Sequence, residues 1–142
     1  MKKLLPVTLI VIAILGYSQF FSSNVPTGDV RNPDSAASAA YSEWRSGQQV
    51  QGEGIVIRLL ADDNDGSRHQ RFIIRLNTDQ TLLVAHNIDI APRISSLRKG
   101  DMVVFNGEYE WNDKGGVIHW THRDPTGHHA SGWVEHGGRM YQ

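Results

Sequence analysis

Five of the seven histidines fall between positions 119 and 136, set among tryptophans: His119-Trp120-Thr121-His122, then Asp124-Pro125, His128-His129, Trp133 and His136. Imidazole ligates metals, shuttles protons and contacts anions near neutral pH. On a strand, His119 and Thr121 share one face and Trp120 and His122 the other. The two histidines converge where the chain bends before Pro125, because the residue preceding a proline is held extended or in a turn. The chain has no cysteine, so a metal would be held by imidazole and carboxylate, a donor set typical of open rather than closed zinc sites. His69, His86, His119, His122 and Asp124 are the expected ligands, with zinc or manganese as the ion. His128 and His129 stand close enough in sequence to fold back over them.

A second group is Arg68-His69-Gln70-Arg71-Phe72. In a strand, Phe72, Ile74 and Leu76 face one way, and His69, Arg71, Ile73 and Arg75 the other. The guanidinium forks of Arg68, Arg71 and Arg75 match phosphate or carboxylate. The competing explanation is a solvated face paired with Asp62, Asp63 or Glu108. His86-Asn87-Ile88-Asp89 ends another strand, and Asp89 can accept the His86 ring N–H; a buried histidine that simply holds the loop fits as well. Asp62-Asp63-Asn64-Asp65-Gly66 has the alternating oxygens of a calcium loop but lacks its late bidentate glutamate, and a plain turn explains it. Among the aromatics, alternation places Tyr109 and Trp111 with Phe105 in the core, and leaves Trp120 and Trp133 as stacking surfaces. Gly-x-Ser-x-Gly and glycine-rich phosphate loops are absent from the sequence.

The elements that position these groups are mostly strands. Asp34-Ser35 caps a short helix to about Arg45, rich in alanine and ended by Gly47. Strands follow over Val50 to Leu60, Phe72 to Leu76, Thr81 to His86, Met102 to Trp111 and Val117 to Thr121. Gly52 and Gly54 bend the first, as a barrel corner requires. A short helix is expected within Ile90 to Leu97, with Pro92 at its start. Gly137-Gly138 turns a small C-terminal hairpin. Five strands with a connection between the third and fourth is the order of an OB barrel. The expected architecture is therefore all-β with one N-terminal helix, a five-stranded OB-like barrel and a C-terminal hairpin extension; an SH3-like barrel or small sandwich is the alternative. In the OB order the second strand pairs with the third, and the third and fifth close the barrel. His69, His86, His119 and His122 are then expected near one end of it.

The N-terminus reads as export machinery. Met1-Lys2-Lys3 is basic, and Leu4 to Gly16 is an apolar run of signal-peptide length, with Gly16-Tyr17-Ser18 offering small residues for cleavage. An uncleaved inner-membrane anchor extending through Phe20-Phe21 is the alternative within residues 1–23. Residues 24–33, with two prolines and a glycine, form a linker, and 34–142 a single domain. The formal net charge is −1; losing Lys2 and Lys3 takes it to −3, which argues against non-specific polyanion binding.

The strings Gly54-Ile55-Val56, Asp62-Asp63 with Gly66, Arg68-His69-Gln70-Arg71-Phe72, Val84 to Asp89, Ala91-Pro92-Arg93, Gly107 to Trp111 and His119 to His122 resemble a family of small exported bacterial proteins catalogued as a domain of unknown function. The likeness runs from Tyr41 to Gln142. It implies a periplasmic or secreted single domain and carries no activity with it. Three functions then compete. The first is an OB-type binding domain for an anionic or base-containing ligand: nucleic acid, nucleotide or envelope glycan. Arg68, Arg71 and Arg75 would meet charge, Trp120 and Trp133 would stack, and His69, His86, His119 and His122 would line the site. The second is a metal-dependent phosphodiesterase or nuclease with a metal-bound water as nucleophile. The third is a structural or partner-protein-binding domain whose histidines form an internal hydrogen-bond network.

Overall fold

A computed structural model describes residues 43–142; the expected export segment, the expected linker and nearly all of the expected helix from Asp34 lie outside the described residues. Seven strands follow in chain order: β1 Gln48–Leu59, β2 His69–Arg75, β3 Thr81–Asn87, β4 Met102–Glu110, β5 Val117–His119, β6 Trp133–His136 and β7 Arg139–Tyr141.

The first five close into a barrel. β1 is long enough to serve two partners: Gln48 to Ile55 pairs with β4, and Ile55 to Leu59 with β2, across a bulge between Val56 and Arg58. Gly54 sits where the strand turns from one partner to the other. A Cβ there would lie 2.9 Å from the Arg75 carbonyl oxygen, so the corner requires glycine. β2 and β3 pair antiparallel along their whole length. Closure comes from a parallel pair, Leu83 with Val117 and Val84 with Ile118, while β5 also pairs antiparallel with β4. This is the expected OB order. The β6–β7 hairpin extends the sheet from the other half of the same β4 edge, Val103 to Asn106. It turns at Gly137 and Gly138, both at positive φ (58° and 76°), as a tight two-residue hairpin demands.

Alternation fills the interior. Phe72 and Ile74 of β2, Leu82 and Val84 of β3, Val103, Phe105 and Tyr109 of β4, Ile118 of β5 and Val134 of β6 are buried in one core, and Trp44 packs on Phe105 and Tyr109. His69, Arg71, Ile73 and Arg75 are left on the outer face of β2, as their spacing requires. Trp111 departs from the pattern: β4 ends at Glu110, and Trp111 is exposed rather than part of the core.

The stretch Ile90 to Leu97 is not a helix. It makes one i−4 bond at its start, Ala91 N–H to the Asn87 carbonyl at 3.0 Å, and Ile94 is then held by a core side chain instead. The buried Gln70 amide donates to the Ile94 carbonyl at 3.0 Å and accepts from the Ile94 N–H at 2.9 Å. This plug segment buries Ile94 and Leu97 in the barrel core without helical structure. The fifth strand is also shorter than its apolar pattern, because Trp120 takes a positive φ of 54° and ends it.

Candidate functional site

The outer faces of β2, β3, β5 and β4 form a groove of about 290 Å³, lined by Asp63, His69, Ala85, Glu110, Val117 and His119. Each strand delivers its residue by alternation. On β2, Phe72 points in, so His69 and Arg71 point out. On β3, Val84 is inside and Ala85 outside; on β5, buried Ile118 lies between outward Val117 and His119; on β4, buried Tyr109 lies between Glu108 and Glu110. The loop between β1 and β2 supplies Asp63, tied to His69 by a two-way backbone bridge.

Glu108 and His119 are directly opposite in the β4–β5 ladder. The His119 Nε2 lies 3.6 Å from a Glu108 carboxylate oxygen. That distance is beyond a hydrogen bond. The same nitrogen is buried and has no hydrogen-bond partner. Burial pulls the His119 pKa below its ordinary value, against the opposing pull of Glu108 and Glu110. One ligand atom from each of Glu108, Glu110 and His119 fits within 4.8 Å of the others, the one such group of three among the described residues. At the groove's other wall, His69 Nδ1 donates to the Ser67 carbonyl at 2.8 Å, which leaves Nε2 carrying the ring's lone pair.

The five expected metal ligands do not assemble. His119 and His69 share the groove, but His86 is fully buried inside the barrel. Its Nε2 donates to the Pro92 carbonyl at 3.1 Å, and its Nδ1 meets the Thr121 hydroxyl at 2.8 Å. Burial lowers its pKa. Asp89 does not take its ring N–H; that carboxylate binds Arg68, 2.7 Å from Nε. His122 is buried in the C-terminal segment, where Nδ1 donates to the Arg123 carbonyl and its ring meets His129 edge-on, centroids 4.9 Å apart. Asp124 folds its own loop. It accepts from the Thr126 hydroxyl at 2.5 Å and from the N–H groups of Thr126 and His129, and these bonds, the Thr126 hydroxyl first, hold its carboxyl far below the ordinary range.

The other expected contacts divide similarly. Arg68 is spent on Asp89, and Arg93 on Asp62 through two bonds of 2.6 and 3.0 Å. Arg71 donates through Nε to the Ala61 carbonyl and, with Arg75, stays on the outer face of β2 beside His69. Trp120 is partly exposed next to the groove, its ring 5.3 Å from that of His119 and 4.4 Å from that of His129. Trp133 is half-buried opposite Asn106, on the half of β4 away from Glu108 and Glu110.

Glu108 and Glu110 are the site residues that reading the sequence missed. Their i, i+2 spacing between buried neighbours already put both carboxylates on one outer face. Their meeting with His119 depends on the β4–β5 register, which no local pattern displays.

A comparison with curated proteins finds no match. The family model described as "Protein of unknown function (DUF3465)" matches residues 20–142. With nearly the whole chain covered, this protein belongs to that family.

Proposed function

We propose that this is an exported OB-like binding domain that takes an acidic envelope glycan on the outer face of β2, β3 and β5. The observation that carries the reading is the groove itself. It lies on the face, and beside the β1–β2 loop, with which OB barrels bind oligonucleotides and oligosaccharides, and its volume of about 290 Å³ suits a small ligand unit.

The lining favours a sugar over a nucleic acid. Asp63, Glu110 and the two imidazoles offer acceptors and donors for hydroxyl groups, and Ala85 and Val117 offer an apolar floor for ring C–H groups. The Asp63 and Glu110 carboxylates in the lining repel the repeated phosphates of a nucleic-acid backbone. Arg68 and Arg93 are already paired with aspartates, which removes cations that tight phosphate binding would use. Arg71 and Arg75, on the β2 edge of the same face, remain to meet a carboxylate on the glycan. Export follows from the N-terminal sequence, and an envelope glycan is a ligand found in that compartment.

Equilibrium binding of muropeptides, compared with single-stranded oligonucleotides of similar size, tests the reading. Muropeptide binding that weakens in Arg71→Ala and His69→Ala supports it. Preferential oligonucleotide binding, or muropeptide binding unaffected by either change, refutes it.

Hydrogen bonds in the C-terminal segment support part of the network reading. Thr121 through His86, Gly132 through the His122 carbonyl and the Asp124 loop all tie the C-terminal segment to the barrel or to itself. Of the four histidines expected at one end of the barrel, the rings of His86 and His122 are bonded within the fold, and His69 and His119 line the groove. The phosphodiesterase reading loses its proposed His/Asp ligand set for the same reason.

A further inference from the structure

The geometry points to a second property of the groove: we propose that Glu108, Glu110 and His119 bind a divalent transition-metal ion of the zinc type at the β4–β5 edge.

Three independent features converge there. The first is the placement of donors. Two carboxylates two residues apart on β4 share the outer face, and the cross-strand pairing sets His119 directly opposite Glu108. One donor atom from each lies within 4.8 Å of the others. Zinc bonds of about 2.0–2.2 Å set tetrahedral ligand atoms about 3.4 Å apart. Small side-chain rotations, easiest for the exposed Glu110, close that difference.

The second feature is uncompensated charge. Among the described residues no lysine or arginine forms an ion pair with Glu108 or Glu110, whereas Asp62 and Asp89 each have an arginine. Neighbouring like charges on one sheet face destabilise it, and a cation between them removes the repulsion.

The third is the state of His119. Its Nε2 is shielded from water, turned toward Glu108, and has no hydrogen-bond partner. A buried polar atom left in that condition costs stability. A ligand bond satisfies it.

The donor set selects the ion. One imidazole nitrogen with two carboxylate oxygens suits zinc and its first-row neighbours; calcium and magnesium prefer oxygen alone. Three protein ligands leave a fourth position open. Because the groove adjoins the site, that position is available to water or to an oxygen of a bound molecule. The metal site shares Glu110 and His119 with the groove of the glycan reading, but its binding is measured without any glycan.

The test is a zinc titration of the purified full chain at neutral pH against a chromophoric chelator, with no glycan present. About one zinc per chain is expected. Losing one ligand costs at least as much affinity as losing an outer-sphere partner, so His119→Ala and Glu110→Gln should each weaken binding by roughly tenfold or more. Glu110 is exposed, so its variant keeps the fold even if His119→Ala does not. His128→Ala, in the exposed C-terminal loop, should bind zinc as the parent does. Cobalt(II) in place of zinc should give a visible spectrum that Glu110→Gln alters. Failure to bind zinc, or binding that survives Glu110→Gln and His119→Ala but is lost in His128→Ala, overturns the proposal. Since the titration contains no sugar, neither outcome decides the glycan reading, which muropeptide binding to metal-free protein tests separately.

Discussion

His86 and Thr121 meet inside the barrel, Nδ1 to Oγ1 at 2.8 Å, while the other ring nitrogen donates to the Pro92 carbonyl at 3.1 Å. One imidazole thus joins the end of β3, the plug segment and the chain beyond β5. With Nε2 committed as donor, neutral His86 accepts at Nδ1 from the Thr121 hydroxyl. Replacing it with alanine strands a hydroxyl and a carbonyl and leaves a cavity. His86→Ala should cost about 3 kcal/mol of unfolding free energy, read by urea denaturation. A change below about 0.5 kcal/mol would mean that the ring is not the tie it looks to be.

The same burial makes stability depend on pH. The pKa of His86 is lowered from 6.5 in the folded state, so the unfolded chain binds its proton first as pH falls. The stabilising contribution is therefore complete above about pH 6.5 and declines below it, toward the folded value. The melting temperature should drop from pH 7.5 to pH 5.5, and a His86→Gln variant should show a smaller drop. Equal slopes in parent and variant would assign the effect to other groups.

Much of the architecture could be read from the sequence because it rests on period-two alternation. The inward set Phe72, Ile74, Leu82, Val84, Val103, Phe105 and Ile118 is buried, and the glycine at position 54 marks the corner of β1. The failures share a cause, a tertiary partner that no local pattern reveals. Gln70 holds Ile94 in place of a helix. Arg68 captures Asp89, which had been expected to serve His86. In the histidine-rich C-terminal run, the side-chain bonds of His122 and Asp124 are local. Two glutamates in an ordinary strand pattern form the denser donor cluster.

Gly107 couples the fold to the groove. A Cβ there would lie 2.6 Å from the His119 carbonyl oxygen, 2.8 Å from an Ile118 methyl and 2.9 Å from the Thr121 methyl. Backbone oxygen cannot yield as a flexible side chain can, so β5 must move away from β4. Gly107→Ala should destabilise the domain by about 2 kcal/mol, and its effect on zinc affinity should resemble loss of His119. A variant as stable as the parent would show that β5 has room the structure does not display.

The Arg93–Asp62 pair looks strong at 2.6 Å but is partly exposed. Exposed ion pairs contribute little once screened. Arg93→Ala should change stability by less than about 1 kcal/mol and leave glycan binding intact. A larger loss would show that the pair anchors the plug segment to the β1–β2 loop.

The most direct test of the central claim, that the groove between β2 and β4 is the ligand site, reads the histidine rings themselves. Two-dimensional NMR of the imidazole nitrogens, followed through a muropeptide titration, distinguishes the two histidine groups. The account predicts saturable shifts at His69 and His119, with His86 and His128 unmoved. Shifts confined to His122, His128 and His129, with His69 and His119 silent, would place the site in the C-terminal loop and contradict it.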